Sequence, residues 1–187
     1  MNAIRKPVAI VAVMGNLCVL MALNSGGADI SGRTVMQLTS TAFKEGESIP
    51  SRFTCDESNV SPALKWSGVP AGARSLVLIA DDPDAPVGTW VHWVLYDLPA
   101  GTSELAEDTP KSQYLPGGAK QGLNDFQRLG YGGPCPPPGK PHRYFFKLYA
   151  LDTALELKPG ATKKEVERAM EKHILAQAQL MGTYKRK

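Results

Sequence analysis

Proline and glycine constrain this chain more than any other feature. Fifteen prolines and eighteen glycines cut its middle into short segments, the spacing of a β-rich protein rather than a helical one. Between these breaks lie four runs that read as strands. Thr34 to Phe43 (TVMQLTSTAF) alternates roughly. Ser75 to Asp81 (SLVLIAD) is almost continuously apolar, as a buried central strand is. Thr89 to Leu98 (TWVHWVLYDL) and His142 to Leu151 (HRYFFKLYAL) are rich in aromatic and β-branched residues. A long polar connection runs from Leu98 to Gly130, and loops of that length inside a domain are usually functional or locally structured. The stretch GYGGPCPPPGKPHRY that follows can be neither helix nor regular strand.

The C-terminal part reads differently. Thr162 to Glu165 (TKKE) has the form of a capping box. Val166, Ala169, Met170, His173, Ile174, Gln177 and Met181 recur at helical spacing, and Gly182 stands where a C-cap belongs. The expectation is a mainly β fold with a C-terminal amphipathic helix packed on it. His173 lies on the apolar side of that helix and is given no role.

With 187 residues, the chain is long enough for one domain with a substantial core. No repeat or interdomain linker divides it. A net charge of +3, without a Lys/Arg stripe interleaved with aromatics, gives no basis for nucleic-acid binding. At the N-terminus, Arg5 and Lys6 precede an uncharged apolar run from Val8 to Leu23, and the small residues of NSGGA follow. This is the three-part pattern of a secretory signal, with cleavage after Ala28 or Gly27. An uncleaved anchor is the competing reading, since ~17–25 residues can span a bilayer. The expected organisation is a signal peptide at residues 1–28 and a single domain at 29–187, in a periplasmic or secreted protein. Export leaves Cys55 and Cys135, and two cysteines in an oxidising compartment suggest one disulfide; two thiols that never meet are the alternative.

The chemistry concentrates in DDPDAPVGTWVHW, Asp81 to Trp93. Strand alternation would put Trp90, His92, Val94 and Tyr96 on one face, and His142, Tyr144, Phe146 and Leu148 together on another strand. If both strands join one sheet, two imidazoles and the Asp82–Asp84 turn can gather at one end. Metal binding has little support, because the histidines and aspartates lack a ligand spacing and DDPD lacks the glycine and distal Glu of an EF-hand loop. No G-x-S-x-G elbow marks a nucleophile. A polar pocket remains: clustered carboxylates raise one another's pKa, imidazoles carry charge, and GYGGP offers unshielded amides for an oxyanion. A charged turn beside two core histidines stays open as the plainer reading.

These residues also carry a resemblance. The segments DDPDAP (Asp81 to Pro86), VHWVLYDLP (Val91 to Pro99) and GYGGPCPPPGKPHRYFFKLYALD (Gly130 to Asp152) resemble the phosphatidylethanolamine-binding protein family, in its bacterial Raf-kinase-inhibitor-like branch. Supporting stretches are Phe53 to Pro70 and the LAQAQLMGTYKR ending, so the likeness covers about Met36 to Arg186. The resemblance implies an antiparallel β-sandwich with peripheral helices and a small pocket for phosphate, acetate or a phosphoethanolamine headgroup. Carried over by motif, the pocket residues are Asp82, Asp84, His92, Gly133, Pro134, His142 and Tyr144, with Trp90 at the mouth. Pro83 holds the turn and Asp81 faces the other way. Family members generally modulate kinases, proteases or other partners, or bind phospholipid headgroups, and need no cofactor. The expected function is therefore an exported, non-enzymatic binding or regulatory protein. The rivals are a hydrolase or isomerase using the aspartates and histidines to move protons, and a protease inhibitor or host-interaction protein acting through surface loops. The chain's ending departs from the longer animal C-terminal segment at the pocket rim, which puts lipid preference in question.

Overall fold

A computed structural model describes Met1 and residues 35–186; the expected signal peptide and its cleavage point lie outside the described residues. In chain order the elements are β1 (Gln37–Ser40), β2 (Leu64–Ser67), β3 (Ser75–Asp82), β4 (Trp90–Pro99), β5 (Glu104–Leu105), β6 (Lys120–Gln121), β7 (His142–Leu151), α1 (Lys163–Met170) and β8 (Ile174–Tyr184). They form a three-stranded sheet, β1-β2-β5, and a five-stranded sheet, β6-β4-β3-β7-β8. Every pairing between strands is antiparallel.

Two apolar layers hold these sheets. Leu38, Leu64 and Trp66 from the small sheet meet Leu76, Leu78, Trp93, Leu95, Phe146 and Leu148 from the large one. The opposite face of the large sheet presents Val77, Ile79, Val94 and Tyr96 to Val166 and Met170 of α1. β3 is the middle strand and all eight of its residues are buried, which is why its sequence runs apolar without alternation. Its first charged residue, Asp81, points to the α1 side and accepts from Lys147 Nζ at 2.8 Å and Lys163 Nζ at 2.6 Å. Lys163 opens α1, so this carboxylate ties the helix to the sheet.

The expected C-terminal helix is corrected. The capping box is present at Thr162 and Glu165, but α1 ends at Met170, and residues 174–184 form β8 against β7. The segment AQAQLMGTY also has a period of two: Ala176, Ala178, Leu180, Gly182 and Tyr184 are progressively buried while the residues between them stay more exposed. Pairing along the edge of the large sheet satisfies the backbone that a helix would otherwise have satisfied locally. Gly182 is therefore no cap. It lies mid-strand, where a Cβ would come within 2.6 Å of Ile49 and 2.7 Å of Phe43. The first strand is also shorter than expected, at Gln37–Ser40.

Cys55 and Cys135 are disulfide-bonded, with Cα atoms 5.4 Å apart and a sequence separation of 80. In the chain-entropy treatment a closed loop of that size stabilises the fold by roughly 4–5 kcal/mol. The N-cap is worth less: Thr162→Ala should lower unfolding stability by about 1 kcal/mol. Urea titration will show this as a lower midpoint with an unchanged slope, and an unchanged midpoint would remove the capping box from the stability of α1.

Candidate functional site

Antiparallel register collects the chemistry at one end of the large sheet. Asp82, the last residue of β3, pairs with Trp90, the first of β4, and His142 is the first residue of β7. Their side chains bound a cavity of about 210 Å3. His92 is the fourth member of this group. The apolar side of the wall comes from Ala85, Pro86 and Val87 after the aspartate turn, from Phe126, and from Cys135, Pro136 and Pro137.

His92 reaches the cavity through an irregularity that simple alternation missed. Ala80 pairs with Trp93 while Asp81 pairs with Val91, so one extra residue, His92, is inserted into β4. Such a bulge lets two consecutive side chains share a face. Val91 thus joins Val94 and Tyr96 in the layer beneath α1, whereas His92 packs edge-on against Tyr144, whose ring belongs to the inter-sheet core, at 5.2 Å between centroids. The expected common face of Trp90, His92, Val94 and Tyr96 is broken at this point.

Each polar group is held differently. The Asp82 side chain accepts the Asp84 amide at Oδ1, 2.8 Å away, and faces His142 Nδ1 with Oδ2, also at 2.8 Å. Donation from Nδ1 leaves Nε2 of His142 for a ligand. His92, only 4% exposed, donates from Nδ1 to the Gly132 carbonyl at 2.6 Å. Burial pushes its imidazole below the ordinary value, outweighing that hydrogen bond and the charge of Asp82. Neutral His92 with Nδ1 protonated presents a bare Nε2, an acceptor. Two buried donors make no hydrogen bond among the described residues: the indole N–H of Trp90 and the hydroxyl of Tyr144. Burial, and then the Asp82 charge, pushes the Tyr144 phenol well up, so it stays protonated at any working pH.

Several expected pocket residues stand elsewhere. Asp84 does not line the cavity. Its carboxylate takes Arg143 Nη2 at 2.7 Å, Nε at 2.9 Å and the Arg143 amide at 3.0 Å, and these bonds hold its pKa down at about 2. Asp84 therefore departs from the expected raising of clustered carboxylates, and Asp81, Asp82 and Asp84 point to three different partners. Gly133 donates its amide to Asn59 Oδ1 at 2.7 Å, and Pro134 accepts the Cys55 amide at 3.0 Å; neither lines the cavity. Tyr144 lies behind His92 rather than in the wall.

Phe126 is a cavity residue that the sequence reading did not single out. It sits within the polar connection after β4, and its ring meets those of Trp90 and His92 edge-on, each at 5.4 Å. A lone aromatic in NDFQRLG was the available signal. Among the described residues no group of three or more His, Cys, Asp or Glu is placed to hold a metal ion.

The burial of His92 has a pH signature. Its folded pKa is depressed, so on acidification the unfolded chain takes up the proton first, from about pH 6.5 downwards. The stability associated with neutral His92 is present above that pH and lost below it. In urea titrations between pH 8 and pH 5, His92→Gln should lose stability less steeply than the wild type. Parallel curves would show that burial does not hold His92 neutral.

Comparison with known proteins agrees with this architecture. The family profile described as Phosphatidylethanolamine-binding protein matches residues 39–185. A protein named UPF0098 from Methanothermobacter thermautotrophicus is 54% identical over 151 residues, covering 81% of this chain and 99% of its own. Its namesake from Aquifex aeolicus is 52% identical over 176 residues, covering 93% and 99%. Among solved structures, the phosphatidylethanolamine-binding protein homologue CT736 of Chlamydia trachomatis has 45% identity and a TM-score of 0.76, covering 82% of this chain and 99% of its own. E. coli YbcL, described as a new member of the mammalian family, has 37% identity and a TM-score of 0.77, covering 81% and 99%. With its two antiparallel sheets, its cavity at one end of the larger and this likeness over almost the whole described chain, the protein belongs to the phosphatidylethanolamine-binding protein family.

Proposed function

We propose that this chain is an exported, non-enzymatic binding protein that holds a small phosphate-type anion, free or as a phosphoethanolamine headgroup, and through it modulates a protein partner such as a kinase or protease. The observation that carries the reading is the set Asp82, Trp90, His92 and His142 in the cavity wall, where Trp90 also carries a buried indole N–H that makes no hydrogen bond among the described residues. A buried donor left unmatched costs roughly 1–3 kcal/mol, a cost that an anionic oxygen removes. Nε2 of His142 gives a second polar contact and neutral Nε2 of His92 an acceptor, so a hydrogen phosphate, with both P–O⁻ and P–OH, suits the set. Each oxygen of Asp82 already faces a donor, the Asp84 amide or His142 Nδ1.

The cavity wall gives no support to covalent catalysis by a nucleophile. It holds no serine, threonine or lysine, and its cysteine is tied in a disulfide. Its volume, about 210 Å3, is suited to a headgroup rather than an acyl chain. The names of the family and of its solved relatives point the same way. Export is supported by the Arg5–Leu23 pattern and by the disulfide, a bond that persists in oxidising compartments.

Calorimetry with inorganic phosphate and phosphoethanolamine tests the pocket. Wild type should bind, the His92→Ala/His142→Ala pair should not, and Trp90→Phe should bind about tenfold more weakly or worse. Binding that survives all these changes would reject the assignment. Intact-mass analysis of protein secreted from the full-length precursor tests export: the expected N-terminus is Asp29, or Ala28 for cleavage one residue earlier, and an unprocessed chain would contradict it.

A further inference from the structure

A second concavity lies beside the first, across a thin partition. It measures about 120 Å3, and its walls include Lys111, Arg128, Asn59 and Cys55. Phe126 and the disulfide separate the two spaces: the Phe126 side chain borders both, Cys135 lies in the wall of the first, and Cys55 lies in the wall of the second. Gly132 links them too, since its carbonyl receives His92 while the residue itself borders the second space.

The chemistry of this cleft is one-sided. It holds two cations, and no carboxylate lines it. Lys111 Nζ makes only a long bond to the Asn59 carbonyl, 3.3 Å. Neither Lys111 nor Arg128 forms a salt bridge among the described residues, whereas Arg52, Arg143, Lys147 and Lys163 all do. The floor is kept open by missing side chains. A Cβ at Gly132 would lie 2.7 Å from the Phe126 ring, and one at Gly133 would lie 2.7 Å from Asn59 Oδ1 and 2.3 Å from the Phe53 carbonyl. The backbone can thus run at the bottom of the cleft only as glycine. Gly130, at φ +80°, lies against Lys111, with the Lys111 Cα 3.2 Å from where a Cβ would stand, and so fixes where that lysine leaves the backbone.

The geometry points to a second anionic subsite: the protein takes a ligand with two acidic groups, a phosphate in the first cavity and a second acid, carboxylate or phosphate, between Lys111 and Arg128. This deepens the phosphate reading given above and rests on it. A headgroup with one phosphate and no other acid fills only half of such a site. A lysine and an arginine flanking a glycine floor recognise a planar or tetrahedral oxyanion by charge-assisted hydrogen bonds. The partition around Phe126 sets the length of the linker that can join the two acids.

The test uses a series of ω-phosphonocarboxylates with one to five methylenes, each set against the alkylphosphonate of equal length lacking the carboxylate, by calorimetry on the mature, disulfide-bonded protein. At least one chain length should bind about tenfold more tightly than its matched alkylphosphonate. That gain should disappear in Lys111→Gln/Arg128→Gln, while the variant binds methylphosphonate as the wild type does. Both side chains are exposed, so the variant folds and methylphosphonate binding reports it. Flotation with phosphatidylserine vesicles, whose headgroup carries phosphate and carboxylate, compared with phosphatidylethanolamine vesicles, separates a lipid source from a soluble one; a preference for the former adds to the support. If methylphosphonate binds but no carboxylate improves it, the second subsite falls and the first stands. If neither methylphosphonate nor any phosphonocarboxylate binds, both fall.

Discussion

Gly132 and His92 are joined twice. The Gly132 amide donates to the His92 carbonyl at 2.9 Å, and the His92 ring donates back to the Gly132 carbonyl at 2.6 Å. Forty residues separate them in sequence, and this pair of bonds brings the glycine-proline segment onto the bulged start of β4. The segment then supplies Cys135, Pro136 and Pro137 to the cavity wall. The bulge that frees His92 from regular pairing lets both its backbone and its ring be used at once. A regular β4 would have sent that imidazole under α1, into an apolar layer with no carbonyl to receive it.

Around that link, the division of labour follows from strand parity. Asp81 and Asp82 are adjacent, so they leave β3 on opposite faces. Asp81 serves the helix layer through Lys147 and Lys163; Asp82 serves the cavity through His142. Asp84, beyond the end of the strand, is free of that parity and turns outward to Arg143. Geometry thus gives three carboxylates in four positions three separate partners. Pro83 supports this arrangement through a trans peptide, with the Asp84 amide folded back on Asp82.

Much of the large sheet was legible in the sequence because β3, β4 and β7 are long, with β3 and most of β4 buried on both faces. The run Ser75–Asp81 and the aromatic-rich runs of β4 and β7 can be little else. The C-terminal segment was misread because ILAQAQLMGTY satisfies two periods, and only pairing with β7, a contact distant in sequence, chooses between them. Of the cavity wall, Asp82, His92, His142 and Trp90 were readable from their motifs. Asp84 was not separable from Asp82, since its fate depends on Arg143, whose proximity is fixed by strand pairing. Phe126 belongs to a connection without periodicity, held by contacts such as the Asp125 side chain accepting the Val91 amide at 2.7 Å. Nothing local in the sequence encodes such long-range bonds.

The covalent link between Cys55 and Cys135 has a practical side. One of its residues borders each concavity, and around it the chain is otherwise fastened by single bonds such as the Cys55 amide to the Pro134 carbonyl. Protein harvested from a thiol-rich cytosol, or stored with a reductant, would have the shared wall of both concavities untethered. Affinities taken from such a preparation describe a different object from the oxidised one, so the redox history of a sample belongs beside every binding constant measured for it.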